Sequence, residues 1–130
     1  MKSMDVKSRV FKSSDYEIIK SWYEEHSQVA PGLAAFPETT LIVDGIAAGS
    51  LVLTNIETGI LENYISNPDA NDRQINASIN HITDMLIGLA EGLKLRQLYV
   101  FTRIPSVAKR ARKYGFKVFS NNLTGLVGDI

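Results

Sequence analysis

The residues best placed to do chemistry lie in ISNPDANDRQINASIN, residues 65–80. A strand-like run ends at Asn67-Pro68, a polar turn follows, and a helix begins near Asp72, an arrangement that turns bare backbone N–H groups toward an anion. Such loops normally use glycine, but this one carries Gln74 and Asn76. Their side-chain amides can donate hydrogen bonds themselves, and Arg73 can add a charge-assisted contact. The competing reading is a polar loop that only caps the helix. Upstream, Glu62 stands in an otherwise apolar strand, where a carboxylate costs free energy to bury unless it is paired, and the competing reading is a solvent-facing side chain or a partner of an arginine. Glu24, Glu25 and His26 close a first helix and could meet a cation. Lys109, Arg110, Arg112 and Lys113 make a basic helical surface that could meet an anion. Ordinary solvated surface is the simpler reading of either group.

The elements that must position these residues can be read in order. VKSRVF (6–11) alternates weakly and reads as a strand. Ser14 and Glu17 have the spacing of a capping box, and Ile18, Ile19, Trp22 and Tyr23 then form one face of a helix ending near His26. Residues 27–38 carry two prolines and a glycine without a period, so they read as a loop or a short irregular helix. Asp44-Gly45 between two apolar runs predicts a hairpin with a two-residue turn. ILENYISN (60–67) is a further strand, with Glu62, Tyr64 and Ser66 on one face by alternation. Ile75, Ile79, Ile82, Leu86, Leu89 and Leu93 form a continuous apolar stripe on a helix over 73–93, with Asn71 or Asp72 as N-cap. RQLYVFT (96–102) suits a buried strand parallel to 60–67. SVAKRARKYG (106–115) is a helix closed by Gly115, and FKVFS and LTGLVG across Asn121-Asn122 read as a closing hairpin.

The 130 residues, 45% hydrophobic and 22% charged, imply one globular domain spanning 1–130, an α/β (α+β) mixed sheet. There is no cysteine, and two histidines far apart in sequence make a metal site unexpected. No apolar run approaches a membrane span, so a cytoplasmic protein without membrane partners is expected. The net charge of zero argues against nucleic acid as the main ligand. It conceals a split, because residues 1–72 hold 11 acids and 5 bases while 73–130 hold 3 acids and 9 bases. A homo-oligomer is compatible with all of this.

In element order the chain resembles the GNAT superfamily of acyl-CoA N-acyltransferases, with ISNP before the loop and long helix, LYVFT, and ARKYGF as its sequence marks. SWYEEH, FPETTLIVDG and LENYISNP resemble small GNAT-like proteins of phages and prophages. The resemblance implies acetyl-CoA as co-substrate and a small-molecule or peptide amine as acceptor. The family's Q/R-x-x-G-x-G/A pattern falls on Asn71, Gln74 and Asn76, which all depart from it. It implies cofactor contacts at Ile65, Ser66, Asn67, Arg73, Gln74, Ile75, Asn76 and Ala77, with backbone N–H groups near Ile65 and Ser66 meeting the acetyl oxygen. Glu62 falls where the family often keeps its general base, and Glu24 and Glu25 fall where it binds the acceptor. The position of its usual acid is Ala111, and Tyr114 reads as packing. Two functions therefore stand, an N-acetyltransferase with a degenerate pyrophosphate loop and a GNAT-fold binding or structural protein without catalysis.

Overall fold

The computed structural model describes residues 5–102, 105–120 and 124–129. Strands β1 (Arg9–Val10), β2 (Thr40–Val43), β3 (Ala47–Leu53), β4 (Thr58–Ser66), β5 (Gln97–Thr102), β6 (Lys117–Ser120) and β7 (Thr124–Asp129) alternate with helices α1 (Tyr16–Glu25), α2 (Asp72–Gly92) and α3 (Pro105–Lys113). The ladder order is β1-β2-β3-β4-β5-β7-β6, a mixed α/β sheet in which β4 and β5 are parallel. The sequence order of elements is the one expected. Asn121-Asn122, the turn of the expected closing hairpin, lies outside the described residues, while β6 and β7 themselves pair antiparallel. Among the described residues no helix is long and apolar enough to cross a membrane.

The chain forms two compact units, Met1–Ser50 with Asn63–Ile87, and Leu51–Glu62 with Gly88–Ile130. In the first, the amphipathic α1 lays Ile19, Trp22 and Tyr23 against Phe36, Ile42, Ala48 and Ile65, with Phe11, Tyr16 and Ala30 at the margin. Each large side chain buried this way contributes about 1.5–3 kcal/mol. Phe36 stacks on Phe11 at 5.2 Å and meets the edge of Tyr16 at 6.1 Å. β3 is buried on both faces, and its small residues permit this, since a Cβ at Gly49 would stand 3.0 Å from the Tyr64 ring and 3.1 Å from Ile82 of α2. His81 of α2 is tied to Ser8 by a 3.0 Å hydrogen bond.

Local chemistry corrects several expectations. Ser14 is not an N-cap: Ser13–Asp15 form a 3-10 turn, and the Asp15 carboxylate accepts from Lys12 N–H at 2.7 Å. The hairpin turn has three residues, because Val43 pairs with Ala47 and Ile46 N–H closes on Val43 O at 3.0 Å, with Gly45 left-handed at φ 75°. α2 begins after Asn71, but Leu89 and Leu93 at the end of the expected stripe are half-exposed, and Ala90 takes the buried position instead. α3 ends as expected: Gly115 is left-handed, and Phe116 N–H returns to Ala111 O while Gly115 N–H returns to Arg112 O.

Arg9 anchors the first unit by bonding Asp15 at 2.7 and 2.8 Å and Asp44 at 2.7 Å. The Arg9 hydrogen bonds hold the Asp15 carboxyl below the usual carboxylate range. Because the folded form binds its proton less tightly than the unfolded chain does, Asp15 stabilises the fold above the ordinary carboxylate pKa, and that contribution is lost as pH falls through the depressed value. Asp15→Asn should therefore lower stability by roughly 1 kcal/mol at neutral pH, a figure discounted for the partial exposure of Arg9. Thermal melts of both proteins from pH 7 to pH 3 should show the difference constant near neutrality and shrinking below about pH 4.

Candidate functional site

β4 carries the first candidate, and its faces are not those simple alternation gives. A Cβ at Gly59 would meet Leu51 at 2.9 Å and Leu95 at 3.2 Å, and one at Gly49 would meet Tyr64 and Ile82. Gly49 and Leu51 share a face of β3, so Gly59 and Tyr64 face the same way although five residues apart. An odd separation on one face requires an extra residue. Asn63 is that residue, left-handed at φ 57° inside the strand, a bulge. Its Nδ2 donates to Ala35 O at 3.0 Å and to Ser50 Oγ at 3.3 Å, and Ser50 is paired with buried Thr40 at 2.7 Å.

Glu62 therefore lies opposite Leu61, on the other face from Tyr64 and Ser66, which corrects the expected alignment of the three. It is exposed and makes no ion pair among the described residues. The Tyr64 hydroxyl points away from it and donates to Thr83 Oγ1 at 2.9 Å, which in turn donates to Ile79 O at 2.8 Å. The parallel register of β4 with β5 covers Thr58–Ile60 against Gln97–Tyr99, and β4 runs on for six residues, Leu61–Ser66, beyond it. Glu62 stands at the start of that extension.

The loop after β4 satisfies much of its own backbone. Asn67 N–H bonds Ile46 O at 2.8 Å, and Asn67 Nδ2 bonds Gly45 O at 2.9 Å. Asp69 N–H turns onto Asn67 Oδ1 at 2.9 Å, and Ala70 N–H onto Asn67 O at 3.1 Å. Asn71 and Gln74 then form a reciprocal capping box: Gln74 N–H donates to Asn71 Oδ1 at 2.8 Å, and Asn71 N–H to Gln74 Oε1 at 3.2 Å. Ile75 N–H bonds Asn71 O at 3.0 Å. Of the expected anion donors, the amides of Asn67, Gln74 and Ile75 are thus engaged internally. Arg73 and Asn76 are exposed, Ala77 is half-buried, and the Asp72 amide lies outside the capping box.

At the end of α1, Glu24 and Glu25 are exposed, and His26 Nε2 donates to Ser66 O at 3.0 Å, joining the helix end to the end of β4 beside Ile65 and Asn67. The sequence reading missed Asn63. An amide side chain inside a strand, tolerant of the left-handed region, was the available signal. Among the described residues no group of three or more His, Asp or Glu side chains could hold a metal ion.

No protein-family model and no curated protein sequence matches the chain. Solved structures do. Rv2747 of Mycobacterium tuberculosis, crystallised with CoA and NLQ, superposes with a TM-score of 0.77 at 13% identity over 95% of this chain and 99% of its own. Ard1 of Thermoplasma volcanium gives 0.76 at 12% identity over 95% and 97%. A GNAT superfamily phosphinothricin acetyltransferase of Sinorhizobium meliloti, in complex with AcCoA, gives 0.76 at 14% over 98% and 89%. The chain has the GNAT fold.

The capping box is the element that sets this loop apart from a glycine-bearing one. Gln74→Gly should release the Asn71 amide, and any acetyl-CoA binding at this loop should then tighten by roughly 3- to 10-fold in calorimetric titration, about one hydrogen bond. Helix stability should fall by about 1 kcal/mol from glycine in the first turn and the lost Gln74 Oε1 bond, while Asn71 Oδ1 still caps the backbone N–H of residue 74. Lost stability with unchanged affinity would show that the loop only caps α2.

Proposed function

We propose that the chain is an acetyl-CoA-dependent N-acetyltransferase acting on a small-molecule or peptide amine, with Glu62 as its base. The observation that carries this reading is the exposed carboxylate of Glu62, without an ion pair among the described residues, two residues past the last register pair of β4 with β5, on a GNAT fold. Neighbours of that fold were crystallised with CoA or AcCoA.

Bound acetyl-CoA would supply an acetyl group activated as a thioester. The residues that would hold its pyrophosphate are Arg73, through its guanidinium, and the first-turn amides of α2 from Asp72, with Gln74 joining once its capping bond opens. The fit is partial, so weak affinity is part of the proposal. Glu62 accepts a proton from the acceptor ammonium, directly or through one water, and frees the nitrogen lone pair. Acetyl transfer from the bound thioester would form the nitrogen–carbon bond as the carbon–sulfur bond breaks, with the second amine proton leaving on the thiol. Tyr64 does not take part, because its hydroxyl proton is committed to Thr83.

A second reading, a GNAT-fold binding or structural protein, is favoured by the closed Asn71–Gln74 box. Two measurements separate them. No heat of binding at millimolar acetyl-CoA, in the parent and in Gln74→Gly alike, would establish the second. Under the first, Glu62→Gln lowers the acetylation rate by ~10²- to 10⁴-fold at neutral pH. The melting temperature stays unchanged because the side chain is exposed. Raising the pH recovers much of the rate, since more of the amine arrives already deprotonated. An unaltered rate would leave proton removal to bulk water.

A further inference from the structure

The second unit has one closed and one half-open sheet face. On the closed face Gly59 meets Leu51 and Leu95, and Leu61, Leu98 and Val100 are buried. On the other face Ile60 pairs in register with Tyr99, and Glu62 and Phe101 follow each of them by two residues, so all four side chains leave the sheet on the same side. Tyr99 and Phe101 lie with rings parallel, 6° apart in plane and 6.1 Å between centroids. The Tyr99 hydroxyl donates to Gln97 Oε1 at 3.2 Å, which fixes the phenol. Phe101 keeps 48% of its surface exposed, and Gly125 of the neighbouring strand stands in register with it. An aromatic pair with Phe101 half-exposed, on the same sheet face as an exposed carboxylate, offers the chemistry that an organic cation needs.

We infer that this face recognises the acceptor, and that the acceptor is a primary ammonium carried on an apolar or aromatic body. The inference rests on the acetyltransferase reading and narrows its substrate. Ring faces attract a cation through their quadrupole, the Phe101 and Tyr99 surfaces cover the apolar body, and Glu62 pairs with the ammonium it is to deprotonate. A bare polyamine would leave the rings uncovered, and a neutral aromatic would leave the carboxylate unpaired.

The test reads binding without acetyl transfer. Side-chain NMR of the free protein is titrated with 2-phenylethylamine, n-propylamine and 2-phenylethanol at neutral pH. The expected result is a saturable shift of the Tyr99 and Phe101 ring signals by 2-phenylethylamine, with weaker response to the short amine and to the alcohol. Phe101→Leu, which keeps apolar volume but removes the ring, should weaken 2-phenylethylamine binding by roughly three- to tenfold with an unchanged melting temperature, and Glu62→Gln should weaken it similarly. The inference is overturned if the alcohol binds as well as the amine, if no ring signal moves at millimolar amine, or if ring shifts depend on protein concentration alone, which would make the face a contact between copies. Saturable amine binding with no acetylated product in the presence of acetyl-CoA would instead sink the acetyltransferase reading and leave the cation-binding face standing.

Discussion

One extra residue in β4 governs where the rest of the site can be. A strand offers its side chains to two faces in strict turn, so a single left-handed residue reverses every assignment beyond it. At Asn63 that reversal lets Tyr64 reach Thr83 under α2 while Ile65 enters the aromatic cluster against α1. The left-handed conformation costs on the order of 1–2 kcal/mol for a residue with a Cβ. Asparagine offsets it with bonds to Ala35 O and Ser50 Oγ, and the Ser50–Thr40 pair keeps that polar pocket satisfied within the sheet. The strand thus stays rooted on both of its faces, and Glu62 is left outward where the parallel pairing with β5 stops.

The same kind of side chain acts in the opposite sense a few residues later. Short amides at Asn67, Asn71 and Gln74 fold back onto the backbone donors that a glycine-bearing loop would leave bare. Helix capping and anion binding compete for the same N–H groups. A loop that has gained a capping box has gained helix stability at the expense of anion affinity, and the balance between the two decides whether the GNAT fold here supports chemistry or only recognition.

Much of this was legible from residue spacing. The 4-3-4-3-4 stripe gave α2, the Asp44-Gly45 pair gave the β2–β3 hairpin, and Gly115 gave the end of α3, because each depends on a local period or a local φ. The capping box was also present in the sequence as Asn71-x-x-Gln74, and the family pattern drew attention instead to the glycines that were missing. What could not be read was parity. Counting alternate residues along ILENYISN assumes no bulge, and nothing local to Asn63 says that Ala35 and Ser50 will be there to hold one. The exposure of Phe101 is equally non-local, since Tyr99 and Phe101 alternate like any buried pair and nothing within the strand says that Phe101 will keep half of its surface exposed.

The reversal at Asn63 is best tested by nuclear Overhauser contacts from the Tyr64 ring in the free protein. Contacts to the Ile82 and Thr83 methyl groups, together with intraresidue signals of a positive φ at Asn63, are the expected result. Contacts from Tyr64 to Ile19, Trp22 or Ile42 would mean that β4 alternates without a bulge, placing Glu62 back on the face of Tyr64 and contradicting the arrangement described.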